Sequence, residues 1–206
     1  MHVFVQNIRR YVRNYFTPML KKHVAICIGH SRSGDNGASN VEGVYEWHFN
    51  KPVADRVAEL VRESGHLATV IGRYEGNSYG SAMSDVAKQL RTMQADVAIE
   101  LHFNSADSPS ATGYEFLCWY NGKSGNDLAI SLQRSFRKSF PDQRDRGIKL
   151  NTSSDRGSGF LRKTHCPAVI CEPFFGSNPK DTAYFTDNKE KLAKAYADGI
   201  LHWLSA

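Results

Sequence analysis

The chain is sparing with cysteine, and none of it is patterned. Its four cysteines, Cys27, Cys118, Cys166 and Cys171, form no C-x-x-C pair, which excludes a zinc-ribbon framework and a thioredoxin-like redox motif. They read as free thiols, with Cys27 and Cys171 inside apolar runs as buried thiols usually are. Long apolar runs are missing as well: no uncharged stretch reaches the length that spans a bilayer. Arg9, Arg10 and Arg13 interrupt the first residues, where a secretory apolar segment would lie. The expectation is a protein made in the cytoplasm without a signal peptide. The glycine-rich turn Gly29-His30-Ser31-Arg32-Ser33-Gly34 lacks the Gly-Lys-Ser/Thr ending and the glycine spacing of a phosphate-binding loop. Neither an internal repeat nor a low-complexity linker divides the 206 residues, a length that suits one well-formed core.

Charge is in modest excess, 26 Lys and Arg against 21 Asp and Glu, for a formal net charge of +5. That favours encounter with an anionic polymer or surface. No helix-turn-helix, zinc-finger or aromatic RNA-binding signature accompanies it, so nucleic acid is not the expected partner; bacterial wall material and anionic membranes suit the charge equally. Within residues 2–22, Phe4, Ile8, Tyr11, Val12 and Tyr15 recur at helical spacing while Arg9, Arg10 and Arg13 take other positions. This predicts a basic amphipathic helix ending near Pro18. Residues 1–22 are therefore read as an extension to a domain of residues 23–206, either packed on it or contacting an anionic membrane or wall surface.

From His23 onward strand and helix patterns alternate. Val24-Ala25-Ile26-Cys27-Ile28 has the unbroken apolar character of a strand buried on both faces. Further strands are expected at Leu67–Ile71, Asp96–His102, Gly113–Trp119 and Ala168–Cys171, and helices at Glu46–Ser64, Ser81–Gln94, Asp127–Phe140 and Lys189–Leu204. Asn178-Pro179 offers an N-cap followed by proline at the first helical position. The fold class is α/β: one three-layer α/β/α domain with a mostly parallel mixed sheet flanked by helices, plus the N-terminal amphipathic helix.

In open sheets of this kind, sites form where loops leave the carboxyl ends of strands. His30 and His102 fall at such ends, Glu172 directly follows a strand, and Glu46 opens the first long helix. Two imidazoles and a carboxylate leave zinc an open fourth position, and a further unliganded glutamate can serve as base for metal-assisted hydrolysis. Taken singly each residue says little. His23, His48, His66, His165 and His202 show no comparable setting.

The order of short motifs resembles the amidase-3 family of zinc-dependent N-acetylmuramoyl-L-alanine amidases. It runs through Gly29-His30, Gly43 and Glu46, Ala95-Asp96, Leu101-His102-Phe103-Asn104-Ser105 and Gly113-Tyr114-Glu115. It continues through Arg146-Gly147-Ile148-Lys149, Leu161-Arg162, Pro167-Ala168-Val169-Ile170, Glu172 and Phe175-Gly176-Ser177-Asn178. The resemblance covers residues 23 to 204. It implies one zinc ion per chain, bound by His30, Glu46 and His102, with Glu172 as the catalytic carboxylate. It also implies cleavage of the peptidoglycan amide between the lactyl group of muramic acid and L-alanine. Asn104 and Arg162 are read as residues behind the site or touching substrate.

The chain departs from the family pattern at three places. Cys27 stands where the family has an aspartate, Glu100 where it has a serine, and Phe174 where glycine is frequent, which would narrow the substrate's path. Glu100 lies two residues before His102, on the same side of a strand, and is expected to orient a ligand imidazole through its free nitrogen. A basic compact chain without signal peptide or appended wall-binding domain suggests a monomeric phage endolysin that reaches the wall once the membrane is permeabilised. The rival readings are a bacterial cell-separation or recycling amidase, a zinc peptidase or carboxypeptidase, and a catalytically silent wall-binding module.

Overall fold

The computed structural model describes residues 20–31, 34, 35 and 37–206. The amphipathic helix expected before Pro18 lies outside the described residues. Six strands, β1 His23–Ile28, β2 Leu67–Ile71, β3 Val97–Leu101, β4 Tyr114–Trp119, β5 Asp145–Asn151 and β6 Ala168–Glu172, form one sheet in the order β2-β1-β3-β6-β4-β5. The first four in that order are mutually parallel. β4 runs antiparallel to β6 and parallel to β5, so the mixed sheet reverses direction between β6 and β4.

The helices are α1 Glu46–Glu63, α2 Tyr79–Thr92, α3 Lys123–Ser139, α4 Ser158–Lys163, α5 Pro179–Asp187 and α6 Lys189–Leu204. Strand alternation divides the apolar residues between two cores. Val24, Ile26, Ile28, Val169 and Cys171 pack with Val53 and Val57 of α1, Leu132 and Phe136 of α3 and Tyr196 of α6. Ala25, Cys27, Ala98 and Ile170 face the other way, onto Met83, Val86 and Leu90 of α2 and Phe160 and Leu161 of α4. These are the three layers expected, with the central strands β1 and β3 buried almost throughout.

Two elements were not foreseen. β5 is an edge strand whose sequence, Asp-Arg-Gly-Ile-Lys-Leu-Asn, is mostly half-buried or exposed and carries no apolar alternation. α4 has six residues, too few to show a helical period. α2 also starts earlier than Ser81, because Ser78 caps it: its hydroxyl accepts from the Ser81 amide while the Ser81 hydroxyl accepts from the Ser78 amide. The Asn178 cap is as expected, its carbonyl oxygen accepting from the Lys180 and Asp181 amides. All four cysteines are free thiols. No helix of the described residues is long and apolar enough to cross a membrane.

Candidate metal-assisted hydrolytic site

Three chain segments bring the candidate donors together at the carboxyl ends of β1 and β3. Gly29 continues the β1 pairing, its amide donating to the Leu101 carbonyl at 2.9 Å. His30 follows in the left-handed region, with φ of 56°, a conformation that favours glycine and is held here by side-chain contacts. Its Nδ1 lies 2.8 Å from Asp35 Oδ1, and the same oxygen accepts from the Gly37 amide at 3.2 Å. That leaves Nε2 facing inward, 3.5 Å from Glu46 Oε1.

Glu46 opens α1 and is only 4% exposed. Both its oxygens are used: Oε1 accepts from the Ala38 amide at 3.0 Å, while Oε2 accepts from the Phe103 amide at 3.2 Å and lies 3.0 Å from His102 Nδ1. His102 directly follows β3, with its Nε2 3.4 Å from Glu100 Oε2. Burial pulls the Glu46 carboxyl upward, but the His102 hydrogen bond and the two neighbouring imidazoles outweigh it and hold it below the usual carboxylate range. Burial likewise opposes charge on His102, and the Glu100 and Glu46 carboxylates outweigh it, raising the imidazole well above its ordinary value.

One donor atom from each of His30, Glu46 and His102 lies within 4.8 Å of the others, the one cluster of this kind among the described residues. A nitrogen, oxygen, nitrogen set with a free approach is the donor chemistry of a hydrolytic zinc site. The surrounding backbone is shaped to it. A Cβ on Gly29 would collide with the His102 ring, and one on Gly37 would meet His30 Cδ2 at 2.7 Å and Glu46 Oε1 at 3.0 Å. The residues present fit the metal that the resemblance implies.

Glu172 ends β6 in the same cleft of about 780 Å³. Its Oε2 is buried with no hydrogen-bond partner among the described residues. Burial, opposed by His102 and reinforced by the carboxylates of Glu46, Glu115 and Glu100, pushes this carboxyl up to about 8. In the antiparallel β4–β6 register Glu115 stands directly opposite Glu172. Glu115 is tied down: Asn104 Nδ2 donates to its Oε1 at 2.7 Å and Arg146 Nε to its Oε2 at 2.8 Å, while the Arg146 guanidinium lies 4.7 Å from the centre of the Phe175 ring. The far wall of the cleft is formed by Tyr74, Tyr79, Met83 and the segment Ser154–Ser158.

The structure therefore gathers His30, Glu46, His102, Glu172, Glu100 and Asn104 around one cleft. Asn104 acts within the protein by holding Glu115. Arg162 is not among them. It is exposed on α4 and does not line the cleft. Phe174 does not narrow the cleft either: it is fully buried, 5.0 Å from Phe49 and stacked at 5.0 Å on Phe185. Asp35 was not singled out from the sequence, because it sits in a loop with no periodicity. The Asp-x-Gly spacing of Asp35 and Gly37 was its only signal.

Residues 24–202 match the protein family described as N-acetylmuramoyl-L-alanine amidase. The chain belongs to that family. It is 25% identical over 190 residues to the N-acetylmuramoyl-L-alanine amidase LytC of Bacillus subtilis (strain 168), which covers 90% of this chain. It spans 36% of that relative's length. Among solved structures, the catalytic domain of the N-acetylmuramoyl-L-alanine amidase CwlV from Bacillus (Paenibacillus) polymyxa var. colistinus shares the fold, with a TM-score of 0.76 at 24% identity over 89% of this chain and 98% of that one. The catalytic domain of the CD27L endolysin targeting Clostridia difficile is 25% identical, with a TM-score of 0.73 over 88% of this chain and 97% of that one.

Proposed function

We propose that this chain is a zinc-dependent peptidoglycan amidase that hydrolyses the bond between the lactyl carbonyl of N-acetylmuramic acid and the amino group of L-alanine. The observation that carries it is the convergence of His30, Glu46 and His102 on one point of a cleft whose wall holds the unpartnered Glu172 Oε2. Zinc held by these three residues supplies Lewis acidity and lowers the pKa of a bound water toward about 7.

The protein's own part is positioning and proton handling. His30 offers Nε2, since Asp35 engages its Nδ1. His102 offers Nδ1, since its Nε2 faces Glu100. Glu172 takes a proton from the attacking water as the water oxygen bonds to the lactyl carbonyl carbon. It returns that proton to the alanine nitrogen as the C–N bond breaks, giving a carboxylic acid and an amine. A carboxylate oxygen aimed into the cleft with no hydrogen-bond partner among the described residues is free to make both transfers.

An end-group assay on purified peptidoglycan tests the reading, run with and without chelator and with Glu172→Ala. The expected result is new L-alanine amino termini without new reducing sugars, abolished by chelation and by the substitution. Products without L-alanine termini would make it a peptidase, and no products at all a binding module. The setting we infer is phage-driven host lysis by a monomeric enzyme, supported by the likeness to the CD27L catalytic domain and by the formal charge of +5. Cells expressing the chain should then lyse only when their inner membrane is permeabilised, and cells expressing Glu172→Ala should not.

A further inference from the structure

Glu100 is a carboxylate in the wrong kind of place. It lies in the middle of the sheet on β3 and is 3% exposed. Its register neighbours are Cys27 on β1 and Ile170 on β6, neither of which brings a cation. The Cys27 thiol is itself fully buried and pushed well up, by burial first and by Glu100 second, so it stays neutral beside the carboxylate. A buried carboxylate is costly unless it is paired and hydrogen-bonded. Among the described residues Glu100 is ion-paired with His102, Nε2 to Oε2 at 3.4 Å.

We infer that Glu100 is a positioning residue for the metal site, accepting the Nε2 proton of His102 so that Nδ1 is the nitrogen presented to the metal; this rests on the zinc-amidase reading. The two imidazoles are then oriented in complementary ways. His30 is held at Nδ1 by Asp35 and presents Nε2, and His102 is held at Nε2 by Glu100 and presents Nδ1. An imidazole held at one nitrogen by a carboxylate keeps one tautomer and one ring orientation, and it is a more basic ligand.

The register adds a second feature. Cys27 and Glu100 are direct partners in the β1–β3 pair, and both belong to the face that α2 covers. The resemblance to the family implies the reverse arrangement of this pair, an aspartate at position 27 and a serine at position 100. A carboxylate supplied from position 27 would come from the adjacent strand toward the same side of His102, so the two positions form one exchangeable pair.

The experiment compares the whole chain with Glu100→Ala, Glu100→Gln and the double variant Cys27→Asp/Glu100→Ser. Zinc affinity is measured by competition with a chromophoric chelator, and the His102 ring protons are followed by NMR in the zinc-loaded proteins. Wild type should show a downfield, slowly exchanging Nε2 proton. Glu100→Ala should lose that signal and bind zinc about 10–100-fold more weakly. Glu100→Gln keeps an acceptor without the charge and should fall between. The double variant should recover the signal and most of the affinity, which a residue needed only for packing would not do. Glu100→Ala with wild-type zinc affinity and an unchanged Nε2 signal overturns the inference and leaves the amidase reading standing. Wild-type protein that binds no zinc overturns both. The double variant is also the safeguard against a fold effect: if it melts as wild type does and still lacks the signal and the affinity, the exchange is refuted.

Discussion

The His102 imidazole packs against the bare backbone of Gly29, so closely that a Cβ at position 29 would overlap three of its ring atoms. The smallest possible side chain therefore displaces a proposed metal donor. Gly29→Ala should cost about 1–3 kcal/mol of stability by overpacking, and should lower zinc stoichiometry below one per chain. Thermal melting and metal analysis of the purified variant check this, and full occupancy with a wild-type melting curve would contradict it.

Asp35 is predicted to matter through His30. Asp35→Ala removes the acceptor for both His30 Nδ1 and the Gly37 amide, so the left-handed His30 backbone loses its brace. Zinc affinity should fall about 10–100-fold, with Asp35→Asn falling less because its amide oxygen still accepts. Competition titration with a chelator measures both, and equal losses in the two variants would show that charge rather than hydrogen bonding is what counts.

Glu172→Gln separates turnover from metal binding. The variant should keep zinc and lose about 10²–10⁴-fold in kcat, the usual share of a general acid and base. Steady-state kinetics on a muramyl peptide, beside metal analysis, gives both values. A variant within threefold of wild type, on the order of a fraction of one kcal/mol in barrier, would remove Glu172 from the mechanism.

The same residue sets a pH dependence in the metal-free protein. Its carboxyl lies near 8 in the folded chain against an ordinary 4.5, so between those values the folded state binds the extra proton. Its contribution is fully favourable below about 4.5 and is lost as pH rises to about 8, on the order of a few kcal/mol. Urea unfolding in chelator from pH 5 to pH 8 should show this decline in wild type and a flatter profile in Glu172→Gln; parallel profiles would refute it.

Zinc should stabilise the fold by mass action. At a free concentration a hundredfold above the dissociation constant the gain is about 2.7 kcal/mol, provided the unfolded chain does not bind. Melting curves with zinc and with chelator, repeated on His102→Ala, measure it. The substitution should erase the difference.

The parts of this fold legible in sequence are those where burial leaves a period. β1 beyond His23 and β3 apart from Glu100 are apolar, β2 matches its expected limits, and α6 carries enough turns for its face to show. β5 was invisible because an edge strand half in water needs no apolar alternation, and α4 because six residues, fewer than two turns, have no period. At the site, His30, Glu46, His102 and Glu172 stood out because they fall at element ends. Asp35 did not, and Glu115 and Arg146 appeared only as motif positions without a role, since their roles come from loop closure and from the β4–β6 register. Arg162 was named from a motif position alone, and the structure places it exposed on α4, outside the cleft lining.

The reversal of strand direction after β3 also divides the labour along the chain. Every proposed metal donor and both carboxylates behind them lie at positions 30 to 102, while Glu172 and the Glu115–Arg146 pair beside it lie at 115 to 172. Between them runs a connection whose stretch Asp107–Ser110 is exposed. A chain cut there would part the proposed metal donors from the proposed acid–base residue, leaving two fragments expected to be silent alone. On the proposed function, hydrolysis would return only on reassembly, which would make the cut chain a split reporter of association between whatever proteins the two pieces are fused to.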